Sequence, residues 1–258
     1  MYLSAQHLAL ANQAVIETFE NCSVAWQAIP HWDTGDPAQT QVPADDVAAA
    51  SPGLLDIKGW RIPFDVTLAT ATAATPTALL GTIVAKTVEL AAAVDRAVVL
   101  ALRDKSTATN FDDSGPDAIM GSLITARALV EKNGFRAPSA ALTTTAGLTT
   151  LSHLVGGYSI LSSLQEAANI NSLHRVDELE DPVPASNYAR VILLGRRQRI
   201  PHGGAATASP GEEPVDFAVS VAPSLEMIGE NGDNRIALAV RARGAVRVKD
   251  SGALVVLN

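Results

Sequence analysis

Cysteine is nearly absent: Cys22 is the only one in 258 residues. A single thiol excludes an internal disulfide framework and a zinc site built from cysteines. Aromatic residues are scarce too, at 4%, although 47% of the chain is hydrophobic. The apolar content is therefore Ala, Val and Leu, with few large anchors. Small apolar side chains in such excess mean either tight internal packing or surface that awaits a partner. Positive charge is in deficit, with 19 Lys and Arg against 27 Asp and Glu and a formal net charge of −8. That balance argues against a broad basic face that grips nucleic acid. The longest apolar stretch, Val84 to Leu102, is interrupted by Lys86, Glu89, Asp95 and Arg96. It reads as a helix with a wet and a dry side, so no membrane span is expected. Met1 to Val15 carries no positive leading region, so no signal peptide is expected and synthesis in a cytoplasm is.

What is present is enough chain for one large domain or two modest ones. Ala5 to Glu20 has apolar residues at helical spacing (Leu8, Ala11, Val15, Phe19), with Ser4 as N-cap. From Ile29 to Gly53 the chain is rich in Pro, Asp, Gly, Thr and Gln and has no helical period. So long an irregular stretch marks a functional loop or an extended arm. Gly59 to Thr70 alternates and predicts a strand, and a long helix is expected from Pro76 to Asp104. Pro116 to Lys132 predicts a second amphipathic helix that stops at Asn133-Gly134. Ser139 to Thr144 predicts a strand, with short helices at Ala146 to Leu154 and Ser162 to Ala168. Ala189 to Gly195 is a short continuous apolar run, the mark of a buried strand. A Gly/Pro-rich loop follows, from Arg196 to Pro214. Three strands are then expected, at Val215 to Ala222, Asn234 to Val248 and Ala253 to Leu257. There is no internal repeat, and the order of elements is that of an α+β protein.

No enzyme mechanism assembles from these residues. Val155-Gly156-Gly157-Tyr158 and His202-Gly203-Gly204 lack the lysine and spacing of a phosphate loop, Ser159 does not sit in a nucleophile elbow, and both glycine pairs read as turns. His31, Asp33 and Asp36 lack the remaining ligands of a metal site and suit a turn. Asp112-Asp113-Ser114-Gly115 reads as a turn that caps the next helix. Glu178, Glu180 and Asp181 form an acidic cluster in a stretch polar enough for a solvated loop. Cys22 reads as a small buried hydrophobe, and the Asn21-Cys22-Ser23 sequon as inert. Arg196, Arg197 and Arg199 are the tight basic cluster, with Arg241, Arg243, Arg247 and Lys249 a looser one along a strand. The tight cluster either touches phosphates or pairs with acidic loops of a neighbouring subunit. No catalytic residue, cofactor or metal is expected.

The layout resembles the Hong Kong 97-type fold of tailed-phage major capsid proteins and encapsulin shells. The resemblance is carried by Ala189 to Gly195 (ARVILLG), the strand from Pro214 to Pro223, and Ala237 to Leu257 (ALAVRARGAVRVKDSGALVVL). The extended loop, the strand after it, the long helix and Pro116 to Lys132 match in order. It implies an N-terminal arm or helix (1–30), an extended loop (31–61) lying over an adjacent subunit, and a peripheral domain (62–115 and 200–258) with spine helix 76–104. The axial domain would be 116–199, its loop Pro182 to Asn187 near a capsomer centre. Trp26, Trp32 and Trp60 flank the arm and are candidate subunit-interface anchors, with core packing the alternative. Lys58, Pro182, Pro184, Arg196, Arg197 and Arg199 complete the interface candidates; one lysine does not argue for a cross-link. The implied function is a major capsid protein forming pentamers and hexamers of an icosahedral shell around double-stranded DNA that is confined without sequence-specific contacts. Portal, decoration or scaffolding proteins would be its companions, the virion its location and a host bacterial cytoplasm its place of synthesis. The start at Met1 predicts no cleaved scaffolding segment. The rival is an encapsulin shell around an enzyme cargo, where an initial helix helps bind cargo; here the WQAIPHWDTGDP segment departs from the encapsulin counterpart.

Overall fold

The computed structural model describes residues 3–180, 190–231 and 234–258. Helix α1 (Ala5–Cys22) begins on Ser4, whose hydroxyl accepts from the His7 N–H at 3.1 Å, and a short α2 (Val24–Ala28) follows. The arm then holds three three-residue strands, β1 (His31–Asp33), β2 (Gln41–Pro43) and β3 (Leu54–Asp56), and runs into β4 (Lys58–Thr67). The strand expected to reach Thr70 stops at Thr67, because its hydroxyl accepts from Thr70 N–H and starts a short helix, α3 (Leu68–Thr72). The long helix α4 (Thr77–Lys105) has Pro76 at its cap position.

The middle of the chain contains β5 (Thr107–Thr109), α5 (Pro116–Lys132), β6 (Ala137–Thr143) and α6 (Thr145–Leu151). Proline opens α5 and Gly134, at φ +90°, lies just past its end, where a left-handed residue closes a helix. The helix expected to reach Leu154 ends at Leu151, and a hairpin of β7 (Leu154–Val155) and β8 (Tyr158–Ser159) follows. Gly156 and Gly157, at φ +59° and +87°, make its two-residue turn. Then come α7 (Leu161–Ala167), an unanticipated strand β9 (Ile170–Arg175), β10 (Val191–Arg196), β11 (Val215–Asn231), β12 (Arg235–Val248) and β13 (Leu254–Leu257).

Two sheets organise the chain. A four-stranded sheet runs β1-β11-β12-β4, parallel only at β1/β11. A five-stranded sheet runs β5-β13-β10-β6-β9. The closing strand, assigned above to the 200–258 peripheral segment, therefore belongs with 137–196: Leu254 pairs with Leu194 and Leu257 with Val191. Its all-apolar sequence suits a strand buried on both faces. The two faces separate by parity. Ile192, Leu194, Leu254 and Val256 join the main core with Leu90, Val94 and Val98 of α4, Phe19 of α1 and Leu238 of β12. Val191, Leu193, Val255 and Leu257 join a second core with Ile119, Leu123 and Val130 of α5. Helix α4 is long and apolar enough by composition to cross a bilayer; in the structure it packs against α1 and the four-stranded sheet.

Candidate functional site

The arm that the sequence leaves irregular is fastened to its own sheet by the basic residues of β12. Alternation along β12 sends Arg241, Arg243 and Arg247 to one side of the strand. Arg243 donates to the carbonyls of Pro37 (2.7 Å) and Gln39 (3.2 Å), which grips the approach to β2. Arg247 donates to the carboxylate of Asp45 (2.6 Å) and lies over the Trp32 ring, 4.8 Å from its centroid. Val47 N–H closes the attachment on the Lys249 carbonyl at 2.8 Å.

At the centre of this network is Asp216 of β11, fully buried. Its carboxylate accepts from Trp32 Nε1 (3.1 Å) and from Arg247 Nε (2.6 Å) and NH2 (2.7 Å), with Lys249 Nζ at 3.0 Å. Burial works against the charge on Arg247, but the bonds and charges of Asp216 and Asp45 hold the guanidinium above its usual range. A small apolar patch of Val42, Ile57, Ala218 and Ala245, with Trp32 against it, completes the attachment. The looser basic cluster therefore faces the chain's own acceptors. Trp32→Phe keeps a ring under Arg247 and deletes one hydrogen bond to a buried charge. It is expected to lower the unfolding free energy by about 1 kcal/mol, read by chemical denaturation.

The other candidates divide between core and surface. Trp26 stacks on His31 (centroids 3.8 Å) and meets Phe19 edge-on, and Trp60 lies against Phe217; both pack on the main core. Burial lowers the pKa of His31. Arg196 corrects the surface reading: it is 1% exposed and donates to the carbonyls of Ile200 and Ala28, each at 2.9 Å. It shares the parity of Ile192 and Leu194, which turns it inward. Arg197 is exposed, sits 4.9 Å from the Phe135 ring centroid and donates to the Glu212 carbonyl, while Arg199 and Lys58 are exposed. Pro182 and Pro184 lie outside the described residues.

Cys22 is exposed, not buried: it is the last residue of α1, beyond the buried stripe of Ala11, Val15 and Phe19. Asp33 and Asp36 accept from Gly35 and Ala38 N–H, each at 2.8 Å, as turn residues do. Among the described residues no group of three His, Cys, Asp or Glu side chains is placed to hold a metal. Asp112 accepts from Ser114 N–H within its turn; the cap of α5 is Gly115, without a side-chain bond. Glu178 lies half-buried on a single 3-10 turn (Asp177–Glu180), and Asp181 is outside the described residues. Asp95, expected on the wet side of the long helix, is a buried carboxylate of α4. It accepts from the Ser23 hydroxyl and from Val24 and Ala25 N–H, which docks α2 on the long helix. Burial raises its pKa to about 6.

Large apolar residues stand exposed at separate extremities: Val47 (70%) and Leu54 (65%) on the arm, Tyr158 (81%) and Leu154 (62%) on the β7/β8 hairpin, and Ile228 (47%) near the far end of β11. An apolar groove of about 340 Å³ runs between α4 and the base of the arm, lined by Leu54, Trp60, Ala97, Val98, Phe217 and Val246.

No protein-family model matches the sequence, and no curated protein sequence does. Solved structures do. A virus-like particle from Pyrococcus furiosus is similar over 98% of this chain and 99% of its own, with a TM-score of 0.74 and 13% identity. A phage-related protein from Bordetella bronchiseptica is similar over 96% of both chains, at a TM-score of 0.65 and 10% identity. The chain of a holo-encapsulin complex from Synechococcus elongatus is similar over 92% of this chain and 88% of its own, at 0.60 and 11%. With two sheets, a long helix between them and an arm laid along one sheet, the chain has the α+β Hong Kong 97-type fold.

Proposed function

We propose that this chain is a structural subunit, not an enzyme, that assembles with copies of itself into pentamers and hexamers of a closed icosahedral shell. The observation that carries the reading is the distribution of exposed apolar residues over the arm, the β7/β8 hairpin and the long β11/β12 ribbon. Single exposed apolar residues are common on monomers, so the weight falls on Val47 and Leu54 of the arm and Leu154, Val155 and Tyr158 of the hairpin, which give neighbouring subunits apolar surface to cover, and on the fold shared with a virus-like particle and an encapsulin complex. In this reading the His31–Trp60 arm, fastened to its own sheet, reaches an adjacent subunit by its outer part with exposed Val47 and Leu54, the four-stranded sheet with α4 is the core of a peripheral domain, and the five-stranded sheet with α5 that of an axial domain.

The shell encloses the double-stranded DNA of a tailed phage, is made in the host bacterial cytoplasm, and takes portal, decoration or scaffolding proteins as companions. A net charge of −8, with Arg243 and Arg247 engaged inside the chain, suits a container that confines DNA without gripping it. A second reading, an encapsulin-type shell around an enzyme cargo, is favoured by α1, which is a folded helix against α4 and β11 and not a free arm. Electron microscopy of the purified protein tests both. Closed polyhedral particles are expected. Nuclease-protected DNA and tails select the phage reading, and particles filled with a co-purifying enzyme select the second. A monodisperse monomer at high concentration overturns shell formation itself.

A further inference from the structure

Helix α2, strand β9 and the loop after β10 meet at a buried polar joint that the shell reading does not use. His174 of β9 is 4% exposed, and its Nε2 lies 2.6 Å from the Ser172 hydroxyl. Its ring stacks on that of His202, an exposed residue of the loop, with centroids 4.4 Å apart and planes 9° from parallel. The buried Arg196 guanidinium ties the loop to α2 by donating to both the Ile200 and the Ala28 carbonyls. Asn171 of β9 donates to the same Ile200 carbonyl at 2.9 Å. One face of β9, the segment Ile200–His202 and the end of α2 are thus held at a single point. Because α2 is docked on α4 through Asp95, that point joins the five-stranded sheet to the α4 side of the molecule.

We propose that the stacked His174/His202 pair, set against the Arg196 guanidinium, is an acid-operated joint: protonation of His174 releases the Ile200–Gly204 segment and α2 from β9. Both groups that act electrostatically on His174, His202 and Arg196, carry or can acquire positive charge. The neighbouring Arg175 is exposed and paired with Asp177. Glu213 is the carboxylate that supports Arg196, and it accepts from Arg197 and Gln198 N–H. Burial, then His202 and Arg196, hold His174 at a pKa of about 4 against 6.5 for a free histidine. The opened joint binds the proton as pH falls through 6.5, while the closed joint binds it only near 4. Opening is therefore least at neutral pH and above, rises by about two orders of magnitude as pH falls between these values, and levels off below. Three other groups titrate against this assembly. Burial raises the pKa of Glu213, and raises that of Asp95, which holds α2, to about 6, so their proton uptake favours the closed state. Burial lowers that of His31, stacked on Trp26 of α2, so its proton uptake favours opening; a His174 variant separates its contribution from all three.

Hydrogen exchange of the purified full chain, corrected for intrinsic rates and compared at about pH 7.5 and about pH 4.5, reads the joint directly. Protection over Val24–Ala28 is expected to fall by more than about thirtyfold in the wild type, with α5 changing little. His174→Gln, which retains a hydrogen-bond partner for Ser172 and cannot titrate, is expected to hold the fall below about threefold. Equal falls in wild type and variant, or no fall in the wild type, overturn the proposal. If His174→Gln does not fold, His202→Gln removes only the exposed ring and is expected to reduce the fall. An undiminished fall there, or loss of α5 protection in step with the joint, overturns it as well.

Discussion

Asp216→Ala is expected to lower the unfolding free energy by about 4 kcal/mol, the largest single loss foreseen for this chain. The substitution removes a fully buried carboxylate that accepts from Trp32 and Arg247 and neutralises Lys249. Two cations with side chains only 8% and 10% exposed would keep their positions while losing their common counter-charge. Arg247 would retain Asp45, whose own side chain is 54% exposed and holds it weakly. Asp216→Asn keeps the shape and some of the bonds, so it should fall between alanine and wild type. Denaturant titration of all three checks the order. A loss under about 1 kcal/mol for alanine would mean that the cations escape to water, and that the arm is not fastened by this group.

Arg196→Ala is expected to cost about 3 kcal/mol. Burial lowers the guanidinium pKa to about 10, which still leaves it charged at neutral pH, with Glu213 opposing the shift. The damage comes from its acceptors: the carbonyls of Ala28 and Ile200 would be left without their charged donor, beside a cavity. A buried ion pair replaced as a whole by apolar residues often costs little, whereas removing one member is costly; Arg196→Met, which leaves Glu213, tests whether packing alone suffices here. Recovery of most of the stability by methionine would show that packing, and not the two carbonyl bonds, is what Arg196 supplies. Arg196→Lys is expected to restore less than half, because one ammonium does not reproduce the guanidinium fork that reaches both carbonyls.

Arg196 also shows what was legible in the sequence. Helix α5 was readable to the residue, since Pro116 and Asn133-Gly134 are local signals. The apolar run of β10 announced a buried strand, and that of β13 a strand. The tight arginine cluster was read by charge, and charge says nothing of side-chain direction. Parity would have separated its members: residue 196 falls in phase with 192 and 194, whereas Arg197 and Arg199 lie beyond the strand. Strand β9 escaped notice because INSLHR has polar residues at inward positions, and Ser172 and His174 are buried through each other. The arm was recognised as irregular and extended, but its fastening was not foreseeable. It depends on β12 meeting Pro37–Asp45 across about two hundred residues of sequence, a pairing no local pattern encodes. Cys22 is exposed although it falls in phase with Ala11, Val15 and Phe19, because neither apolar character nor phase says whether anything covers the end of a helix.

The composition of the two sheets bears on timing during synthesis. The four-stranded sheet takes two of its strands from residues 215–248, and the five-stranded sheet takes a central strand from 254–257. A nascent chain ending near residue 200 would hold every helix α1 to α7, with neither sheet closed and neither core sealed. Contacts of such long sequence separation form late. Under the proposed shell function, contacts between copies wait until the strands up to Leu257 have emerged, because neither core is sealed before them.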